Sequence, residues 1–146
     1  MQINCFDPLK RSPVAAPKIK QVVKKICRNE KPGWDFELRI IFADDEQIHA
    51  LNRTFLNHDY PTDVISFPLG EELNFSEGEI YIGLDRAMEQ AAEYGVKFSG
   101  EVIRLIIHGV LHLMGYDDQT ADERRIMSQK EDQYLKIFSP EQRRAN

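Results

Sequence analysis

The chain has 146 residues, 42% of them apolar and 29% charged, with a net charge of -5. That length and balance suit one globular domain spanning residues 1–146 and large enough to bury a real core. No apolar run approaches the ~18 residues of a membrane helix, and "MQINCFDPLK" has no basic start ahead of an apolar stretch, so neither a membrane span nor a secretory leader is expected. Cys5 and Cys27 are the only cysteines, too few for a disulfide framework, which predicts a reduced cytoplasmic protein with two half-buried thiols.

In chain order, "QINCF" alternates loosely and predicts a short edge strand. Pro17 suits the first turn of a helix in which Ile19, Val22, Val23 and Ile26 share a face. "KPGW" marks a turn, and "DFELRIIFA" follows as a strand burying Phe36, Leu38, Ile40 and Phe42. "DDEQIHALNRTFL" predicts a helix capped by aspartate, with Ile48, Leu51 and Phe55 at helical spacing. Two short strands, "DVISF" and "EIYIGL", come next with "PLGEELNFSEG" between them as a polar loop. "DRAMEQAAEYG" predicts a helix ended by Gly95. Ser99 is a plausible N-cap for "GEVIRLIIHGVLHLM", which Gly115 ends, and "TADERRIMSQKEDQYLKIF" is a last amphipathic helix. The order β-α-β-α-β-β-α-α-α predicts an α+β domain: a small mixed sheet of about four strands packed with about five helices.

Charge is unevenly placed. Between Lys10 and Lys31 eight basic residues face one acidic residue, Glu30, so that segment carries +7 and the rest of the chain -12. Such a split fits either an anionic partner, nucleic acid first among them, or a solvated helix face.

The chemistry concentrates in "IIHGVLHLMGYDD", residues 106–118. His108 and His112 are four apart on one helical face, so both imidazoles can reach one ion without backbone distortion. Gly115 lets the chain turn back, and Asp118, with Asp117 as its rival, can offer a carboxylate oxygen. Two nitrogens, one oxygen and an open fourth position describe a catalytic zinc site of zincin-like type, since structural zinc sites are closed by four protein ligands. The residue after the first histidine is Gly109, where H-E-x-x-H peptidases carry their glutamate base. Zinc alone still activates water and polarises a phosphoryl oxygen, so phosphodiester hydrolysis fits better than amide hydrolysis.

"HGVLHLMGYDD" resembles the H-G-x-L-H-L-x-G-Y-D-H box of the YbeY family, the bacterial endoribonucleases and rRNA maturation factors. "LNRTFLNHDYPTDVISFPL" is similar to that family's second box, and "GEIYIGLDRA" resembles the strand between them, the match running from about Leu38 to Leu135. The resemblance implies one zinc ion and a single-strand-specific endoribonuclease acting in 16S rRNA 3′-end maturation and ribosome quality control. It implies RNA as partner, within the 30S subunit, with ribosomal proteins or a ribosome-associated GTPase beside it, and neither membrane nor DNA.

By the same resemblance, His108 and His112 match the first two metal ligands, while Asp118 occupies the place of a third histidine. A carboxylate is an acceptable zinc ligand but weakens the ion as a Lewis acid. The family's cleft arginine is replaced by Leu56, which cannot steady phosphate charge. Arg53, His58 and Arg86 are the nearby cations, with Arg53 or His58 expected to take over. Thr62 and Asp63 suit turn chemistry, Ser66 is a candidate cleft residue, and His49 is expected at the surface. The basic helix from Lys18 to Arg28 becomes an expected RNA-contacting face. Two functions follow: a zinc-dependent endoribonuclease, or a zinc-stabilised ribosome-associated maturation factor with little turnover. A small-molecule hydrolase fits the basic segment and the boxes less well.

Overall fold

The computed structural model describes residues 1–57 and 62–139. Its elements are β1 (Gln2–Phe6), α1 (Ala16–Glu30), β2 (Asp35–Ala43), α2 (Asp45–Phe55), β3 (Val64–Glu72), β4 (Phe75–Gly83), α3 (Leu84–Tyr94), α4 (Phe98–Leu113) and α5 (Ala121–Phe138). They form one α+β domain around a four-stranded sheet of order β1-β2-β4-β3. β1, β2 and β4 are mutually parallel and β3 runs antiparallel to β4. The edge position expected of "QINCF" is the one β1 occupies.

Strand alternation sorts the two faces of the sheet. Phe36, Leu38, Ile40 and Phe42 of β2, with Ile80 and Ile82 of β4, enter the main core with the apolar stripe of α1. α4 runs through this core and is apolar on almost every side, as a helix surrounded by others must be. Each of its large, fully buried apolar side chains, such as Ile107, Val110 and Leu111, contributes about 1.5–3 kcal/mol by leaving water. α2 covers part of the opposite face, where Ile48 and Leu51 pack with Ile65, Phe67 and Tyr81. The uncovered part carries Arg39, bonded to Glu77 and Glu79.

Three local expectations are corrected. The stretch read as a polar loop is mostly strand: β3 extends to Glu72 and β4 begins at Phe75, with Asn74 at φ +62 in a tight turn. Pro68 and Gly70 hide the alternation there; a proline without N–H is tolerated because β3 is an edge strand, and the register shifts between those two residues. Ser99 does not cap α4, which starts at Phe98 after Lys97 with no side-chain cap. Cys27 is fully buried rather than half-buried, and burial pushes its thiol up to about 12. Among the described residues, no helix is long and apolar enough to cross a membrane.

Candidate metal centre

The turn after α4 builds the site. Gly115 sits at φ +107, its N–H donates to His112 O, and the Tyr116 N–H donates to Leu111 O. This pair of bonds is a Schellman motif, which needs a left-handed residue and reverses the chain. The reversal carries Asp118 back over the face of α4 that presents His108 and His112. Their Nε2 atoms lie 3.1 Å apart, and Asp118 Oδ2 lies 3.3 Å from His108 Nε2 and 3.4 Å from His112 Nε2. A tetrahedral zinc ion ~2.0–2.2 Å from each ligand places its ligand atoms about 3.3–3.6 Å apart. The donor set therefore fits a metal ion in both chemistry and spacing. Asp117 is the exposed neighbour, and its Oδ1 accepts from the Asp118 N–H, so of the two aspartates it is Asp118 that stands in the cluster with the histidines.

A buried carboxylate stands behind the first histidine. Glu131 of α5 accepts from His108 Nδ1 at 2.6 Å with one oxygen and from Arg104 Nη1 at 2.8 Å with the other. Arg104 is tied in turn to Asp132 at 2.9 Å. Holding the Nδ1 proton fixes the tautomer whose Nε2 lone pair is free for a metal ion, should the cluster hold one. Burial opposes the charged form of His108, but the Glu131 hydrogen bond and the nearby Glu131, Asp118 and Asp63 carboxylates outweigh it, so this imidazole titrates above its ordinary value. Sequence reasoning missed both Glu131 and Arg104. The signal was present: Met127, Glu131, Tyr134 and Leu135 form the buried face of α5, with an acid on an apolar stripe.

The position that lacks the peptidase glutamate also has a structural reason. A Cβ on Gly109 would stand 2.6 Å from Ile80 Cγ2 and 3.2 Å from Ser66 Oγ. Only glycine lets α4 approach β3 and β4 this closely. Ser66 Oγ donates to Gly109 O at 3.0 Å and fastens the contact.

The cluster opens into a cleft of about 520 Å³ between β3 and the end of α2, whose walls include Asn52, Leu56, Thr62, Asp63, Ser66 and Pro68. Asp63 also keeps its turn role: its backbone carbonyl accepts from the Gly83 N–H at 2.7 Å, and Gln90 donates to its carboxylate at 3.1 Å. Arg53 is exposed on the last turn of α2, beside cleft residues Asn52 and Leu56, without lining the cleft itself. Arg86 is exposed on α3 and paired with Glu89. His49 is half-buried on α2 and does not join the cluster. His58 lies outside the described residues.

On α1, Lys18, Lys25 and Arg28 face solvent. Glu30, the acid among them, is turned inward instead, accepting from Tyr116 Oη at 2.6 Å, Tyr134 Oη at 2.5 Å and Lys130 Nζ at 3.2 Å. That knot fastens the basic helix to the turn that carries Asp118.

Fold and site together define a single-domain α+β protein with a His–His–Asp cluster that could hold a metal ion and lines a cleft. The family model described as Endoribonuclease YbeY matches residues 9–139. An Endoribonuclease YbeY of Chlorobium phaeovibrioides is 39% identical over 94% of this chain and 91% of its own. One from Chlorobaculum parvum is 40% identical over 92% and 94%. A solution structure from Thermotoga maritima superposes with a TM-score of 0.69 at 29% identity, covering 97% of this chain and 91% of the other. The chain belongs to the YbeY family of endoribonucleases.

Proposed function

We propose that this protein is a zinc-dependent endoribonuclease that cuts single-stranded RNA in the cytoplasm, acting in 16S rRNA 3′-end maturation and ribosome quality control on the 30S subunit. The observation that carries the reading is the set of three candidate ligand atoms 3.1–3.4 Å apart in the wall of an open cleft. His108, His112 and Asp118 hold the ion. When bound, zinc supplies Lewis acidity toward a phosphoryl oxygen and activation of water.

The chain's own groups do the rest. Glu131 holds the Nδ1 proton of His108, and Arg104 donates to the other oxygen of that carboxylate and fixes its position. The histidine side chains are only 20% and 26% exposed, so a phosphodiester has to enter the cleft to reach them. A flexible single strand with unstacked bases does this more readily than a duplex. Arg53 and His58 are the residues proposed to take phosphate charge where Leu56 cannot. The exposed cations of α1 lie on the helix fastened to the Asp118 turn, which suits them to hold the RNA outside the cleft. Ribosomal proteins or a ribosome-associated GTPase are the proposed protein partners.

The second reading, a zinc-stabilised ribosome-associated factor with little turnover, is favoured by one observation: Leu56 lines the cleft. Cleavage of single-stranded RNA carrying the 16S 3′-end sequence decides between them, with zinc-loaded protein compared with His112→Ala. Cutting that the variant loses supports the nuclease. Equal cutting, or none despite bound zinc, favours the second reading.

A further inference from the structure

The metal centre opens in two directions. Beyond the 520 Å³ cleft on the β3 side, a second cleft of about 240 Å³ lies against α5, and the two share Asp63, Val64, His108 and Asp118. A strand that reaches the ligands through the first therefore has a continuation through the second. That second arm is lined by Asp63, Asp118 and Glu131, so a phosphate entering it meets negative charge unless a cation answers.

Arg104, in the same wall, is consumed by Glu131 and Asp132. Arg124 is not consumed. It stands on the first turn of α5, exposed, and among the described residues it pairs with no carboxylate. Its Nη1 rests on the carbonyls of Asp118 at 3.4 Å and Gln119 at 3.2 Å. Those two contacts pin the guanidinium beside the third metal ligand and leave the rest of its donor fork for another acceptor. Ser128, one turn along α5, adds a hydroxyl to the same wall.

We infer that Arg124 binds the phosphodiester next to the one being cut, and that the α5 arm is the second half of the path taken by a single RNA strand through the metal centre. The inference rests on the ribonuclease reading above and adds a substrate-binding residue to it.

The test measures the affinity of zinc-loaded protein for a fluorescent single-stranded oligoribonucleotide, carrying phosphorothioate linkages to slow hydrolysis, across a series of salt concentrations. Arg124→Ala is compared with Arg124→Lys, and with Arg125→Ala, which removes the same charge one residue on, from an arginine facing Asp122. Expected for Arg124→Ala are an affinity about tenfold weaker and a salt slope smaller by about 0.7, the value of one phosphate contact on a single strand. Lysine at 124 should keep the slope, and Arg125→Ala should leave both quantities near wild type. Unchanged binding by Arg124→Ala while the wild type binds overturns the inference and leaves the ribonuclease reading standing. So does an equal loss in both alanine variants, or a loss that tracks released zinc. A wild type that binds no single-stranded RNA overturns the ribonuclease reading and the inference with it.

Discussion

Replacing Glu131 by glutamine tests how the metal centre is held. The carboxylate serves two donors at once, His108 Nδ1 at 2.6 Å and Arg104 Nη1 at 2.8 Å. Glutamine has one acceptor oxygen, so it can satisfy one of the two, and its amide presents a donor to the other. If the amide faces His108, it favours the tautomer protonated on Nε2, the atom the ion requires bare. Loss of such a partner behind a metal-ligating histidine costs about 10–100-fold in metal affinity, or roughly 1.4–2.7 kcal/mol. Arg104 keeps Asp132, so the apo fold should lose less, about 1 kcal/mol, or a few degrees of Tm. Competition against a fluorescent zinc chelator measures the first effect, and thermal melting in EDTA the second. Wild-type zinc affinity in Glu131→Gln would refute the role assigned to the carboxylate; an equal fall of apo stability alone would make Glu131 a structural ion-pair partner.

Three further outcomes are expected. Gly109→Ala should lower Tm despite a helix-propensity gain of about 1 kcal/mol, because its Cβ meets Ile80 Cγ2 at 2.6 Å, an overpacking worth about 1–3 kcal/mol; Gly109→Glu should fail to fold, which circular dichroism would show. Asp118→Asn should lower zinc affinity by more than Glu131→Gln, because it alters a ligand itself, read by the same chelator competition. Glu30→Gln should destabilise by about 1–3 kcal/mol near neutral pH, as its side chain is 10% exposed and accepts from three donors. Burial works against the Glu30 charge, but the bonds from Tyr116, Tyr134 and Lys130 prevail and hold its carboxyl below the ordinary range. A depressed folded value means the stabilisation is complete above the unfolded carboxylate pKa of about 4.3 and is lost as pH falls through the lower folded value. Urea melts of wild type and variant should therefore differ at neutral pH and converge in acid.

The elements were legible where periodicity and caps agreed. Ile19, Val22, Val23 and Ile26 gave α1, the alternation of Phe36, Leu38, Ile40 and Phe42 gave β2, and Gly95 ends α3 at φ +68. The β3–β4 hairpin was obscured because Pro68 and Gly70 break the pattern of an edge strand that pays no ladder bond for them. Within the site, His108, His112 and the backfolding Asp118 followed from spacing and one glycine. The choice between Asp117 and Asp118 did not, because it depends on where a Schellman turn points two adjacent carboxylates. Glu131, Arg104 and Glu30 were hidden for a common reason: a charged residue on a helix reads as solvated until a partner from another helix is known. The clue is placement, an acid or arginine on a stripe that is otherwise apolar.

The most direct test of the central claim, that one ion held by His108, His112 and Asp118 powers RNA cleavage, is a zinc titration of the apo protein. Cleavage of single-stranded RNA is followed against the zinc bound per chain, with His108→Ala, His112→Ala and Asp118→Ala in parallel. Activity should rise linearly and level off at one zinc per chain, and each variant should lose binding and cleavage together. Cleavage that persists without zinc, or variants that lose the metal and keep cutting, would contradict the account.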